Sequence, residues 1–197
     1  MVAQHPGLSV AVINLARRPD RLTSFHERWT RSGHGLPYTV HTGVDTGTAQ
    51  GCLASHLQVL SSYTTPVLVL EDDAVFAADF DPFVEPPGDW RIAWLGGQHR
   101  MPPIPVNDRW VRPRYLVRTH AYIARHPAEI GAWLYTANPP RIDPFLAALP
   151  VQQYALKTFT VGQRAGVSDI GGRTRVVDEF WNRPFVNWPR HKFPTGR

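Results

Sequence analysis

Pro66-Val67-Leu68-Val69-Leu70-Glu71-Asp72-Asp73-Ala74-Val75-Phe76 is the stretch from which the rest of the chain can be read. Four consecutive apolar residues, Val67 to Leu70, predict a strand buried on both faces, and the three acids follow where that strand must surface. Adjacent carboxylates repel one another at neutral pH, so a fold that gathers them at a strand end commonly holds a cation there. In open α/β sheets ligands sit outside the carboxyl ends of strands. The stretch therefore points to a divalent metal site serving a phosphate-bearing substrate. An acidic surface turn after a core strand is the other reading of the same residues.

Upstream, Leu8 to Leu15 is a second strand signal. Arg17, Arg18, Pro19, Asp20 and Arg21 follow, with Pro19 where its missing N–H costs nothing at a helix start. The helix runs to about Arg31, with Leu22, Phe25 and Trp29 on one face at spacings of three and four. A strand, turn and helix in this order open a nucleotide-binding α/β unit, and the turn's arginines suit a diphosphate. The same arginines read otherwise as a solvated helix start, where their charge opposes the helix dipole. Tyr38 to Thr42 is the next strand, and Asp45, just past it, suits a ribose hydroxyl or a base edge, or else is ordinary turn chemistry in a Gly-flanked turn. Gln50 to Tyr63 predicts a helix with Leu53, Leu57 and Leu60 as its buried stripe. His56 lies beside that stripe as a core histidine, or faces a nucleotide together with Ser55.

Downstream, Phe76, Phe80 and Phe83 are expected on the core, and Pro82, Pro86, Pro87 and Gly88 enforce a loop. Arg91 to Leu95 is a strand closed by Gly96-Gly97, whose missing side chains let backbone approach a ligand or a neighbouring strand. Gln98 to Pro113 reads as a long loop. Tyr115 to Ala124 is extended, Pro127 to Tyr135 is a short helix, and Asp143 with Pro144 reads as an N-cap opening another. Gln153 to Val161 is a late strand. From Gly162 the composition predicts an irregular segment anchored by Trp181 and Trp188.

Length and composition bound the class. The 197 residues suit one domain over 1–170 with a basic tail over 171–197, and a hydrophobic fraction of 43% supplies a core, which excludes global disorder. The single cysteine, Cys52, excludes an internal disulfide and a thiolate zinc site and favours a reducing compartment. With neither a signal peptide nor a run long enough to span a bilayer, a soluble, cytoplasmic protein is expected. Net charge is +5, yet seven acids and no Lys or Arg fall between Glu71 and Asp89. Basic residues gathered elsewhere suit a polyanion approaching an acidic pocket, or simply a soluble arginine-rich protein.

Three segments occur in a telling order: Val12-Ile13-Asn14-Leu15 with Arg17-Arg18-Pro19-Asp20-Arg21; Gly51-Cys52-Leu53-Ala54-Ser55-His56-Leu57; and Val67 to Ala74. Together they resemble the family 25 glycosyltransferases, which include lipooligosaccharide and collagen galactosyltransferases. Looser matches at Thr119 to Ile123, Ile142-Asp143 and Gln163 to Ile170 extend the likeness. Ala16 departs from the family, which usually carries an acid there. The resemblance implies a GT-A fold, a Rossmann-like α/β architecture on a central mixed sheet, with a UDP-sugar donor and Mn2+ or Mg2+. It places Glu71 and Asp73 at the metal. Asn14, Leu15, Arg17, Arg18, Arg21 and Asp72 fall at the nucleotide, with Asp45, Ser55 and His56 near it.

Transfer of a hexose needs a base for the acceptor hydroxyl, and Asp143, then Asp169, are the candidates. Family likeness implies inversion and a saccharide acceptor. Hydroxymethylated DNA, which would reward the basic segments, is the second acceptor class. A non-catalytic nucleotide or nucleic-acid binding module is the competing function class.

Overall fold

Val67 to Leu70 are completely buried, as a strand with neighbours on both edges and cover on both faces must be. The computed structural model describes residues 7–172 and 174–180. Its first half contains β1 (Ser9–Asn14), α1 (Pro19–Arg31), β2 (Thr39–Thr42), α2 (Ala49–Ser61), β3 (Val67–Glu71), β4 (Ala74–Phe76) and β5 (Ile92–Trp94). There follow β6 (Gln98–His99), β7 (Ile104–Pro105), β8 (Trp110–Arg112), β9 (Leu116–Val117), β10 (Ala121–Ala124), α3 (Pro127–Ala137) and α4 (Ile142–Ala148). The last elements are β11 (Gln153–Leu156), β12 (Val161–Gln163), β13 (Gly166–Val167) and β14 (Thr174–Arg175).

Eight strands form one mixed sheet in the order β2-β1-β3-β10-β5-β11-β8-β7. The expected α/β class with a central mixed sheet is what the chain adopts. β2, β1 and β3 are parallel, in a register that sets Ile13 beside both His41 and Glu71. β10 runs antiparallel between β3 and β5. Because the chain steps from β1 out to β2 and back past β1 to β3, right-handed crossovers set α1 and α2 on opposite faces. α1 begins at Pro19 and carries Asp20 in its first turn and Arg28 and Arg31 in its last, each favourable to the helix dipole. Its buried Phe25 and Trp29 pack with Tyr38 and Phe76, and Trp29 also meets Phe80.

Several elements differ from expectation for local reasons. α4 starts at Ile142, which is buried, so Arg141 is the N-cap and Asp143 lies inside the first turn. The segment 98–113 is not one loop: β6, β7 and β8 form there, with the proline-bearing β7 confined to the sheet edge, where a missing N–H is tolerated. The strand expected over Gln153 to Val161 breaks at the exposed Lys157 and Thr158, and its second part, β12, pairs with β4 instead. Gly96 permits a close crossing, because a Cβ there would run into His120 Nε2 and the Val161 carbonyl. Trp181, Trp188 and the rest of 181–197 lie outside the described residues. No helix among the described residues is long and apolar enough to cross a membrane.

Candidate active site

The parallel strands β1, β2 and β3 end on one edge of the sheet, and the antiparallel β10 brings Thr119 and His120 to that edge. Glu71 N–H donates to the His120 carbonyl and Asp72 N–H to the Ile13 carbonyl, so the acids leave the sheet at a fixed height. Asp72 and Asp73 then make the tight turn into β4. A pocket of about 1070 Å³ opens over this edge, at the upper end of small-molecule sites. Leu15, Arg21, Asp45, Ser55, His56, Glu71, Asp72, Asp73, Asp143 and Asp169 all line it. Elements as far apart as the β1–α1 turn, α2, the end of β3 and the start of α4 thus meet on one cavity.

The other candidates, Asn14, Arg17 and Arg18, do not line the pocket but contact residues that do. Asn14 Nδ2 donates to Asp72 Oδ2 at 2.7 Å and to the Arg18 carbonyl at 3.0 Å, tying the acidic turn to the arginine turn. Arg17, Arg18 and Arg21 converge on Asp169 at 2.7, 2.8 and 3.0 Å. Arg17 also holds Asp45, and Arg21 also holds Asp72. Burial pushes the Asp169 carboxyl up, but Arg21, Arg17 and Arg18 outweigh it and keep it below its ordinary value. A carboxylate held so is a weak base.

The three acids of the strand end have different surroundings. Glu71 accepts from the Thr119 hydroxyl at 3.1 Å and faces His56 Nε2 at 3.5 Å. Burial pushes its carboxyl up, but His56, His120 and Thr119 outweigh burial and hold it well below the carboxylate range. Asp73 is pushed up to about 7 by burial and by the Glu71 charge, against the pull of Arg175. It is bonded by the buried Arg175 guanidinium, with Gln163 Nε2 at 3.4 Å from each of its oxygens. Burial also raises Asp72, opposed by Arg21 and Asn14. Behind the turn, Arg28 donates to the Asp72 and Ala74 carbonyls at 2.8 Å each and fixes its backbone.

Ser55 is placed on the pocket wall, but its hydroxyl donates to the Gly51 carbonyl at 2.7 Å and accepts from Val44 N–H at 2.8 Å. Its work is to hold the loop that carries Asp45. Asp143 is 9% exposed and accepts from Arg141 Nη2 at 3.0 Å.

Sequence reasoning did not single out Arg175, Arg141, Thr119 or Cys52 as pocket residues. Arg175 lay in a stretch already recognised as basic, which was the available signal. Thr119 follows Arg118, whose φ of 79° is unusual for a residue with a side chain. No sequence pattern marks a strained non-glycine residue.

No protein-family model matches the chain, and no curated protein sequence matches it. Among solved structures the chain is similar to a Drosophila beta-1,4-galactosyltransferase 7 mutant in complex with manganese, UDP-Gal and xylobiose. That likeness has 13% identity and a TM-score of 0.38, and covers 70% of this chain and 65% of the other. The chain thus spans just under two thirds of that protein's length. It is also similar to CTP:phosphocholine cytidylyltransferase from Streptococcus pneumoniae, with 8% identity, a TM-score of 0.37, and coverage of 84% of this chain and 95% of that one.

Proposed function

We propose that this protein is a metal-dependent glycosyltransferase that moves a hexose from a UDP-sugar to a hydroxyl of a saccharide acceptor with inversion. The observation that carries the reading is the convergence of Arg21, the acids Glu71, Asp72 and Asp73 at the end of β3, and Asp143 on one large pocket at the carboxyl edge of parallel strands. Glu71 and Asp73 suit a hard divalent cation by donor type, since both offer carboxylate oxygens. Asp73, raised first by burial and then by the Glu71 charge, adds a second carboxylate beside Glu71 on the pocket wall. Arg175 now pairs with Asp73 and has to yield it to the ion. Glu71 and Asp73 would hold Mn2+ or Mg2+, which would supply positive charge beside the leaving diphosphate.

The chain's own residues account for the remaining steps. Arg21, with Arg17 and Arg18 behind it, orients the diphosphate by charge-assisted hydrogen bonds once Asp169 gives way. Asp45 accepts from a ribose hydroxyl. Asp143 takes the acceptor's proton as the acceptor oxygen bonds to the anomeric carbon and the bond from that carbon to the diphosphate breaks, releasing UDP. Asp143 is preferred to Asp169 because three arginines already occupy the Asp169 carboxylate.

The test is a screen of UDP-sugars and oligosaccharide acceptors with and without Mn2+, read by UDP release. Asp143→Asn is expected to lower turnover by roughly 10²- to 10⁴-fold, the range of general-base catalysis, with UDP affinity unchanged. Absence of both donor turnover and UDP binding by calorimetry would end the reading.

A further inference from the structure

Cys52, His56 and Glu71 meet on the pocket wall without a shared task in glycosyl transfer. Cys52 and His56 are four residues apart on α2, so their side chains lie one above the other on the same face. Glu71 reaches them from the end of β3. A ligand atom from each, the Cys52 sulfur, a His56 ring nitrogen and a Glu71 oxygen, lies within 4.8 Å of the other two. The 3.5 Å between His56 Nε2 and Glu71 Oε1 is close to the spacing of about 3.4 Å between two ligands on a tetrahedral ion with bonds near 2.1 Å.

His56 supplies the second line of evidence. It is only 1% exposed, yet its Nε2 makes no hydrogen bond among the described residues and has only the 3.5 Å approach of Glu71. Buried ring nitrogens are normally satisfied, and this one is aimed at a thiol and a carboxylate on a cavity wall. The other nitrogen, Nδ1, is 3.1 Å from the Tyr122 hydroxyl, and the two rings stack at 5.8 Å. When an ion takes the place of the Nε2 proton, Nδ1–H donates to Tyr122 and Nε2 turns its lone pair to the ion held with Cys52 and Glu71. Metal-binding histidines are held by their outer nitrogen in this way.

We infer that Cys52, His56 and Glu71 form a three-ligand site for a borderline transition-metal ion such as Zn2+, with the fourth coordination position open to the pocket. A sulfur, an imidazole nitrogen and one oxygen favour such an ion over Mn2+ or Mg2+, which prefer all-oxygen sets. Binding releases the Cys52 thiol proton to solvent. The lone cysteine had spoken against a thiolate zinc site; the fold completes the ligand set from two other residue types. The site stands on its own geometry and holds whether or not the pocket transfers sugars. Glu71 belongs to both ligand sets, so an ion at one withdraws that carboxylate from the other.

Cobalt titration of the metal-stripped full-length protein tests this through thiolate-to-Co2+ charge-transfer absorption. Cys52 is the only cysteine, so the band has a single possible source. A saturable band at one equivalent, displaced by Zn2+ and lost in Cys52→Ser, is expected. His56→Gln and Glu71→Gln should each weaken Co2+ binding at least about tenfold, and Tyr122→Phe about 10- to 100-fold, as for residues that support a ligand from behind. Absence of the band in the wild-type protein overturns the inference. So does a band whose affinity is indifferent to His56→Gln or, should that variant fail to fold, to Tyr122→Phe. UDP binding with Mn2+ but no cobalt–thiolate band would sink this site alone, and the converse would sink only the transferase reading.

Discussion

On the proposed function, Asp169→Asn should destabilise the free protein and tighten UDP binding, two effects of opposite sign. The Asp169 side chain is 14% exposed and takes Arg18 at 2.8 Å and Arg21 at 3.0 Å, both largely covered. Charged hydrogen bonds of this kind contribute about 1.5 kcal/mol or more when buried and less when solvent reaches them, so about 1 kcal/mol for each is reasonable. The Arg17 contact is left out of the sum, because Arg17 is 48% exposed and water screens it. A loss of about 2 kcal/mol corresponds to a fall in Tm of roughly 4–8 °C for a domain of this size. If a diphosphate must displace Asp169 to reach these arginines, the same 2 kcal/mol no longer opposes binding, which tightens UDP by roughly 10- to 30-fold. Scanning fluorimetry reads the first quantity and calorimetry with UDP the second. Asp20→Asn, which removes the exposed partner of Arg18 and a favourable charge at the start of α1, serves as the control: it should lower Tm by less than Asp169→Asn does and leave UDP affinity unchanged. A variant with lowered Tm and unchanged or weaker UDP affinity would refute the idea that Asp169 occupies the anion's seat.

Arg175→Gln leaves buried Asp73 without its cation and should cost about 3 kcal/mol; Mn2+ should then raise the variant's Tm by more than it raises that of the wild type, and equal shifts would show that Arg175 and the metal do not compete. Gly96→Ala should destabilise by about 3 kcal/mol in urea titration, the top of the overpacking range, because its Cβ meets the Val161 backbone and His120 together; a loss under 1 kcal/mol would mean this crossing is looser than described. Burial lowers His99 from 6.5 to about 4, so the folded state binds its proton later than the unfolded chain. The stability this represents is complete above 6.5 and is lost as pH falls through that window, at most about 3 kcal/mol. His99→Phe, which keeps the packing on Phe159, should flatten that part of the stability–pH curve, and an unchanged curve would count against a neutral buried imidazole.

The β1, α1, α2 and β3 elements were readable from the chain because each rests on short-range physics. Val67 to Leu70 are apolar without interruption and are buried on both faces. Pro19 starts α1, and Phe25 and Trp29 bury its inner face. Reading failed where a distant partner decided. The stripe of α2 is expected through Leu57, which is only half-buried; the buried face instead takes in Ser55 and the core histidine His56, because the pocket edge and Tyr122 draw that side of the helix inward. β12 left the main sheet because β4 offered it an unpaired edge.

By itself the sequence determined that a buried strand ends in three acids, that an arginine turn follows the first strand, and that helices separate them, since periodicity and turn chemistry act over a few residues. Only the tertiary structure decided which charge meets which. Arg175 lies 102 residues from the Asp73 it neutralises, Asp169 lies 151 residues from Arg18, and Thr119 lies 48 residues from Glu71. Electrostatic and hydrogen-bond energies depend on distance through space and on exclusion of water, and neither is written along the chain.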